Sequence, residues 1–268
     1  MSSRRNHDGW ELYESGPPDS DHTALLLPGA LCSAVFFEDL IGEPRLRDAS
    51  IRFVATTLPG YGRTTPPDDL SIEGYAREAG KLAADLGCDL VLGHSLGANI
   101  AIEMAGAGEF SGPLLLLSPS FSRGDESIFP RVLDRLSHVL GNLPYAAMFK
   151  IIGPAMKGSL PPDRYKALAA DLKNNDPGFV RRQTHHHLDH LDRHGDLVPR
   201  LCGATVSACV VFGEHDDVGL AEPERRGLEE CPNTRLVTIA GAGHFTLVQE
   251  PGQIAELLLD AVSARHSP

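Results

Sequence analysis

The chain has 268 residues, enough for one large α/β domain or two small ones around a sizeable buried core. Its 24 basic and 36 acidic residues give a formal charge of −12, and basic residues meet only in pairs such as Arg4-Arg5, Arg181-Arg182 and Arg225-Arg226. This excludes the basic surface that a nucleic-acid partner needs, and no apolar run is long enough to span a membrane.

Taken in order, residues 10–15 alternate enough for a strand, which Gly16-Pro17-Pro18-Asp19 ends. Residues 23–27 form a short apolar run closed by Pro28-Gly29, the pattern of a buried strand. A helix is predicted over 34–41 and a strand over 51–58, followed by the turn-rich Pro59-Gly60-Tyr61-Gly62-Arg63-Thr64. Residues 71–86 carry the clearest helical period, with Ile72, Tyr75, Ala76, Ala79, Leu82, Ala83 and Leu86 on one face and Gly87 as the stop. An apolar strand over 89–92 then runs into Gly93-His94-Ser95-Leu96-Gly97 and a helix over 98–107. Four leucines at 114–117 read as a fully buried strand.

From 121 to 200 the pattern is helical only, with segments at 128–140, 145–156, 163–173 and 178–194 punctuated by Pro144, Gly158, Pro161-Pro162, Pro177 and Gly195. A helical block inside an alternating βα chain reads as an inserted cap. Alternation resumes with strands at 206–212 and 236–239 and helices at 223–230 and 254–264. The organisation expected is a core of residues 1–120 and 201–268 with a cap at 121–200. The core is a mostly parallel sheet with helices on both faces. The five cysteines show no C-x-x-C spacing, so free thiols in a reducing compartment are expected. The first residues contain no apolar signal segment, which makes the expected location cytoplasmic.

In such sheets ligands bind beyond the carboxyl ends of the strands. There the sequence places Pro28-Gly29-Ala30, then Ser95, then Gly213-Glu214-His215-Asp216-Asp217, then Gly241-Ala242-Gly243-His244. Strand, Gly-His-Ser-Leu-Gly and helix together form the pattern of a nucleophile elbow, a sharp turn that lifts a serine hydroxyl above the sheet. A neutral serine needs a base, and the base needs a carboxylate, so the order Ser, acid, His carries chemical meaning.

These stretches, with Leu25-Leu26-Leu27 and Leu58-Pro59-Gly60-Tyr61-Gly62-Arg63-Thr64, resemble the α/β-hydrolase superfamily over nearly the whole chain, specifically a serine esterase-like member with a helical cap. The resemblance implies the α/β-hydrolase fold, with Ser95 as nucleophile, His244 as base and Asp216 as its orienting acid. Asp217 is the competitor for that last role. Some relatives carry the acid after the preceding strand, but here that loop is Ser118-Pro119-Ser120. Backbone N–H groups of Ala30 and Leu96 would form the oxyanion hole. Where many relatives have His-Gly, this chain has Pro28-Gly29.

The activity expected is cofactor-free hydrolysis of a small or medium apolar ester, thioester or lactone through an acyl-enzyme on Ser95. The partner is a small-molecule substrate. Alternatives on the same triad are a lyase, an acyltransferase or perhydrolase, carbon–carbon bond hydrolysis, or a catalytically silent receptor. A serine at the elbow argues against the dehalogenase and epoxide-hydrolase branches, whose members use a carboxylate there. His186, His190 and His194 share a helical face, but without an H-E-x-x-H pattern they read as a solvated or substrate-facing polar stripe, with no metal expected. Gly60-Tyr61-Gly62 opens no helix, so no nucleotide cofactor follows. Cys32 reads as packing, and Phe129, Met148, Phe149 and Met156 as packing of the cap that in part lines an apolar pocket.

Overall fold

The computed structural model of the chain describes residues 3–155, 158 and 160–263. Among the described residues eight strands form one sheet: β1 (Ser3–His7), β2 (Trp10–Ser15), β3 (His22–Leu27), β4 (Ile51–Thr57), β5 (Leu90–His94), β6 (Leu114–Leu117), β7 (Ala208–Gly213) and β8 (Thr234–Ile239). Their order across the sheet is β1-β2-β4-β3-β5-β6-β7-β8. The β1–β2 and β2–β4 pairs are antiparallel and the other five parallel. The sheet is therefore mostly parallel, as the alternating pattern predicts. Strand β1 is new: Ser3-Arg4-Arg5-Asn6-His7 has no apolar alternation, and its pairing with β2 supplies the order.

The period of two decides which side chains meet which layer. Leu25, Leu27, Val91, Leu114 and Leu116 join one core cluster with the helices α2 (Ile72–Asp85) and α3 (Leu96–Gly106). Ala24, Leu26, Leu90, Leu92, Leu115 and Leu117 join the opposite cluster with the last helix, Pro251–Ser263. Each leucine buried this way contributes about 1.5–3 kcal/mol. Helix α2 starts where Ser71 accepts a hydrogen bond from the Gly74 N–H, and it buries the stripe from Ile72 to Ala83 that its spacing predicts. The helix expected over 34–41 divides into a 3-10 turn at Ala34–Phe37 and a short α1 at Glu38–Ile41.

Between β6 and β7 the described residues form helices only: α4 (Ile128–Leu140), α5 (Leu143–Ala155), α6 (Pro162–Leu172), α7 (Pro177–His194) and the short α8 (Val198–Gly203). Asp176 caps α7 by accepting from the Phe179 N–H at 2.7 Å. Met156 lies outside the described residues. Helix α9 (Glu222–Glu230) follows β7, and α10 (Thr246–Gln249) and α11 (Pro251–Ser263) follow β8. The end of the helix predicted over 254–264 also falls outside the described residues. No described helix is long and apolar enough to cross a membrane.

Two findings concern pairing at a distance. Cys202 in α8 and Cys231 after α9 form a disulfide, with Cα atoms 5.7 Å apart, which corrects the expectation of five free thiols. Their separation of 29 residues carries no motif, and only the packing of α8 against α9 brings them together. Cys32, Cys88 and Cys209 are free. On α3, Glu103 is buried and holds the Arg200 guanidinium of α8 through both carboxylate oxygens. Arg200→Ala leaves that carboxylate without its partner. We expect a loss of about 3 kcal/mol, the low end for a broken buried pair because Arg200 is partly solvated. Urea unfolding would show a lower midpoint at unchanged slope.

Candidate active site

Strand β5 ends at His94 and α3 begins at Leu96, so Ser95 alone makes the turn, at φ 50° and ψ −118°. A non-glycine residue there stores strain of about 1–3 kcal/mol. Three backbone hydrogen bonds hold it: Ser95 N–H donates to Leu117 O at 2.8 Å, and the N–H groups of Ala98 and Asn99 donate to Ser95 O. The helix can start so abruptly only because it lies almost on the end of β3. A Cβ on Gly97 would stand 2.2 Å from Leu27 O. A Cβ on Gly29 would stand 3.2 Å from the Ser95 Cβ, which places the Pro28-Gly29-Ala30 loop directly beside the serine. Among the described residues the amides of Ala30 and Leu96 donate to no other group, and both residues line the same cavity as Ser95.

The loop after β7 carries Asp216, whose side chain is almost fully buried, whereas that of Asp217 is 68% exposed. Asp216 Oδ1 lies 2.9 Å from His244 Nδ1, against 4.0 Å for Asp217. The other Asp216 oxygen accepts from the Ser118 hydroxyl at 2.5 Å, and Oδ1 accepts from the Val218 N–H. Ser118 thus supports the carboxylate from the loop in which some relatives place the acid itself. No sequence signal marks that role, since it depends on Ser118 N–H bonding Val211 O across β6 and β7.

Burial opposes charge on both partners, and each offsets it for the other. Burial raises the Asp216 pKa, yet the hydrogen bond and charge of His244, with the Ser118 and Val218 donors, hold it below 3.8. Burial lowers the His244 pKa, yet Asp216, then Asp217 and Glu126, lift it above 6.5. Stability drawn from the His244 charge is therefore complete below its unfolded pKa and fades as pH rises through the folded value. Stability drawn from Asp216 is present above its unfolded pKa and fades as pH falls through the folded value.

His94 is the other imidazole of the site, and sequence reasoning gave it no role. It is 1% exposed. Burial, aided by His244, pushes its pKa down to about 3, so the ring is neutral. Its Nε2–H donates to the His244 carbonyl at 2.9 Å and ties the histidine loop to the end of β5. Phe36 and Phe245 pack against the same ring. Cys32 also borders the cavity, but burial pushes its thiol up to about 12 and keeps it protonated.

Ser95, His244, Ala30 and Leu96 border one cavity of about 770 Å³, and Leu133, Met148, Ile152 and Val180 of the helical block form much of its wall. Phe129 lines it as well, whereas Phe149 packs against the core. The histidines of α7 do not act as one stripe. His190 is fully buried with Nδ1 3.1 Å from Glu73 of α2, and His194 approaches the same carboxylate. These three bring ligand atoms within 4.8 Å of one another, but the Arg193 guanidinium already occupies Glu73. His186 is not part of that group. It is His187, not singled out in the stripe, that reaches the cavity.

A model of the alpha/beta hydrolase family matches residues 24–257, and the chain belongs to that family. No curated protein matches the sequence. Among solved structures, an esterase (EaEST) from Exiguobacterium antarcticum is 18% identical with a TM-score of 0.75, covering 98% of this chain and 100% of that one. A thioesterase domain from the curacin biosynthetic pathway is 19% identical at 0.71, covering 97% and 99%. The epoxide hydrolase CorEH is 19% identical at 0.72, covering 99% and 99%. At these identities the likeness establishes the fold, which hosts several chemistries.

The opposed burial and pairing forces make one measurement decisive. Followed by NMR, the His244 ring should titrate with a midpoint above 6.5, and Asp216→Asn should move that midpoint downward because burial then acts with its main opponent removed. A downward shift absent from the variant would mean that another group sets the imidazole.

Proposed function

We propose that this member of a hydrolase family is a cofactor-free serine hydrolase acting on a small or medium apolar ester, thioester or lactone. The observation that carries the reading is the strained Ser95 turn opening into one cavity with His244, whose Nδ1 is held at 2.9 Å by buried Asp216. With Nδ1–H given to Asp216, the tautomer leaves Nε2 free to act as base.

In the proposed cycle Ser95 Oγ attacks the substrate carbonyl carbon while His244 Nε2 takes its proton. The carbonyl oxygen becomes an oxyanion between the Ala30 and Leu96 N–H groups, where each donor is worth about 2.7–4 kcal/mol. At Leu96 the start of α3 adds favourable dipole potential. Collapse of the tetrahedral intermediate breaks the bond to the leaving oxygen or sulfur, which receives the proton from His244. Water, deprotonated by His244, then attacks the acyl-enzyme and releases the acid with Ser95 restored. The helical block acts as a cap whose apolar side chains select the substrate.

A fluorophosphonate probe should label Ser95. Ser95→Ala should lower kcat on p-nitrophenyl esters by at least about 10⁴-fold, and Asp216→Asn by about 10⁴-fold through loss of the correct tautomer. Turnover unchanged in Ser95→Ala sinks this mechanism.

A further inference from the structure

One wall of the cavity is polar, and its chemistry is not used by the proposed reaction. Helix α7 presents Val180, Gln183, Thr184 and His187 to the cavity, the i, i+3, i+4, i+7 spacing of one helical face. Gln183 is 1% exposed and His187 8%. Each of these buried side chains has one polar atom committed and one without a partner, Gln183 Nε2 and His187 Nδ1. Natural proteins rarely leave such atoms unpaired, because each costs about 1–3 kcal/mol unless water or a ligand completes it.

The committed atoms fix what the free ones offer. Tyr61 OH donates to Gln183 Oε1 at 3.0 Å. Among the described residues that oxygen is its one acceptor, so the amide NH₂ is the end left over as a donor. Phe179 packs edge-on against the Tyr61 ring and fixes the register of α7 on this loop. His187 Nε2 lies 3.0 Å from Glu126 Oε1, which also accepts from the Ser120 hydroxyl at 2.6 Å. Burial works against charge on Glu126, but the contacts from His187 and Ser120 hold its carboxyl below the ordinary range. Because Glu126 Oε1 is the acceptor for Ser120 and His187 alike, the ring places a proton on Nε2, and in that tautomer the Nδ1 lone pair is the acceptor left over.

A donor and an acceptor, one turn apart on the same helical face, complement a neutral group that both accepts and donates. We propose that Gln183 Nε2 and His187 Nδ1 form a recognition subsite for a hydroxyl or carboxamide carried by the substrate away from its scissile carbonyl. A hydroxyl accepts from Gln183 and donates to His187. A secondary amide does so with its carbonyl and its N–H. A group that supplies both bonds pairs two atoms that are otherwise unpaired, whereas a methyl group leaves both without a partner. The substrate class then narrows from an apolar ester to an apolar ester bearing one such group. This deepens the reading of Ser95 as nucleophile and rests on it.

The test uses binding, not turnover. Medium-chain methyl ketones carrying a hydroxyl, a secondary amide, a methoxy or a methyl group at successive chain positions are titrated by calorimetry into the full chain with Ser95→Ala. At one or more positions the hydroxyl or amide ligand should bind at least about tenfold more tightly than its methyl counterpart, with methoxy between them because it accepts but cannot donate. The comparison is repeated in Tyr61→Phe and in Tyr61→Phe/Gln183→Leu, the double change avoiding an orphaned tyrosine hydroxyl. The ratio should persist in the first and fall in the second, where only the His187 bond is left. A methyl ligand that binds as well at every position, or a ratio undiminished by Gln183→Leu, overturns the subsite. Neither result touches the Ser95 mechanism, which stands or falls on probe labelling and ester turnover.

Discussion

The rest of the structure depends on a single strained residue. Ser95 sits at φ 50° between a strand and a helix, a conformation that an isolated chain abandons. It persists because its amide is bonded to β6, its carbonyl to the first turn of α3, and α3 lies against the end of β3 with no room for a Cβ at Gly97. Those contacts require β3, β5 and β6 to be neighbours with their carboxyl ends level. The register supplies this: Leu27 opposes Gly93, and His94 opposes Leu117. Asn99 extends the clamp, exchanging side-chain hydrogen bonds with the backbone of Ser120.

Around that turn, desolvation and pairing are set against each other at His94, His244, Asp216 and Glu126, with different winners. His94 has only a carbonyl to bond and stays neutral. His244 and Asp216 have each other and stay poised for charge. Glu126 is buried with His187 and Ser120 as partners, near enough to His244 to favour its imidazolium. Removing water from these groups strengthens each interaction, so the position of a proton follows from which partner is in reach and not from residue type.

The helical block is fastened to the loops that build the site. Asn175 bonds Leu31 O and the Gly62 N–H, Ser33 N–H bonds Asp171, and Arg164 reaches Val35 O and Glu38. Gln183 and Phe179 meet Tyr61 after β4. These polar ties fix the block over the cavity while apolar side chains form its wall. The face of α4 turned outward stays apolar as well, with Ile128, Val132, Leu136 and Val139 exposed.

Much was legible in the sequence because it is written in local patterns. Short apolar runs closed by turn residues, with the α2 stripe, located the sheet, and the loops after the strands located Ser95, Asp216 and His244 along the chain. The physical reason is that burial imposes periodicity, and a sharp turn admits few residue types. Other features have no local signature. Strand β1 owes its order to β2. Ser118 matters because it lies across from Asp216. Cys202 finds Cys231 across 29 residues. On α7 His190 meets Glu73, His187 meets Glu126 and His185 meets Asp134, partners that lie outside that helix. The sequence by itself determined the family, the order along the chain of every strand after β1 and the residue types at Ser95, Asp216 and His244. Only the tertiary structure decided which atoms were paired and which were left without a partner, because hydrogen bonding is settled by distances between elements far apart in the chain.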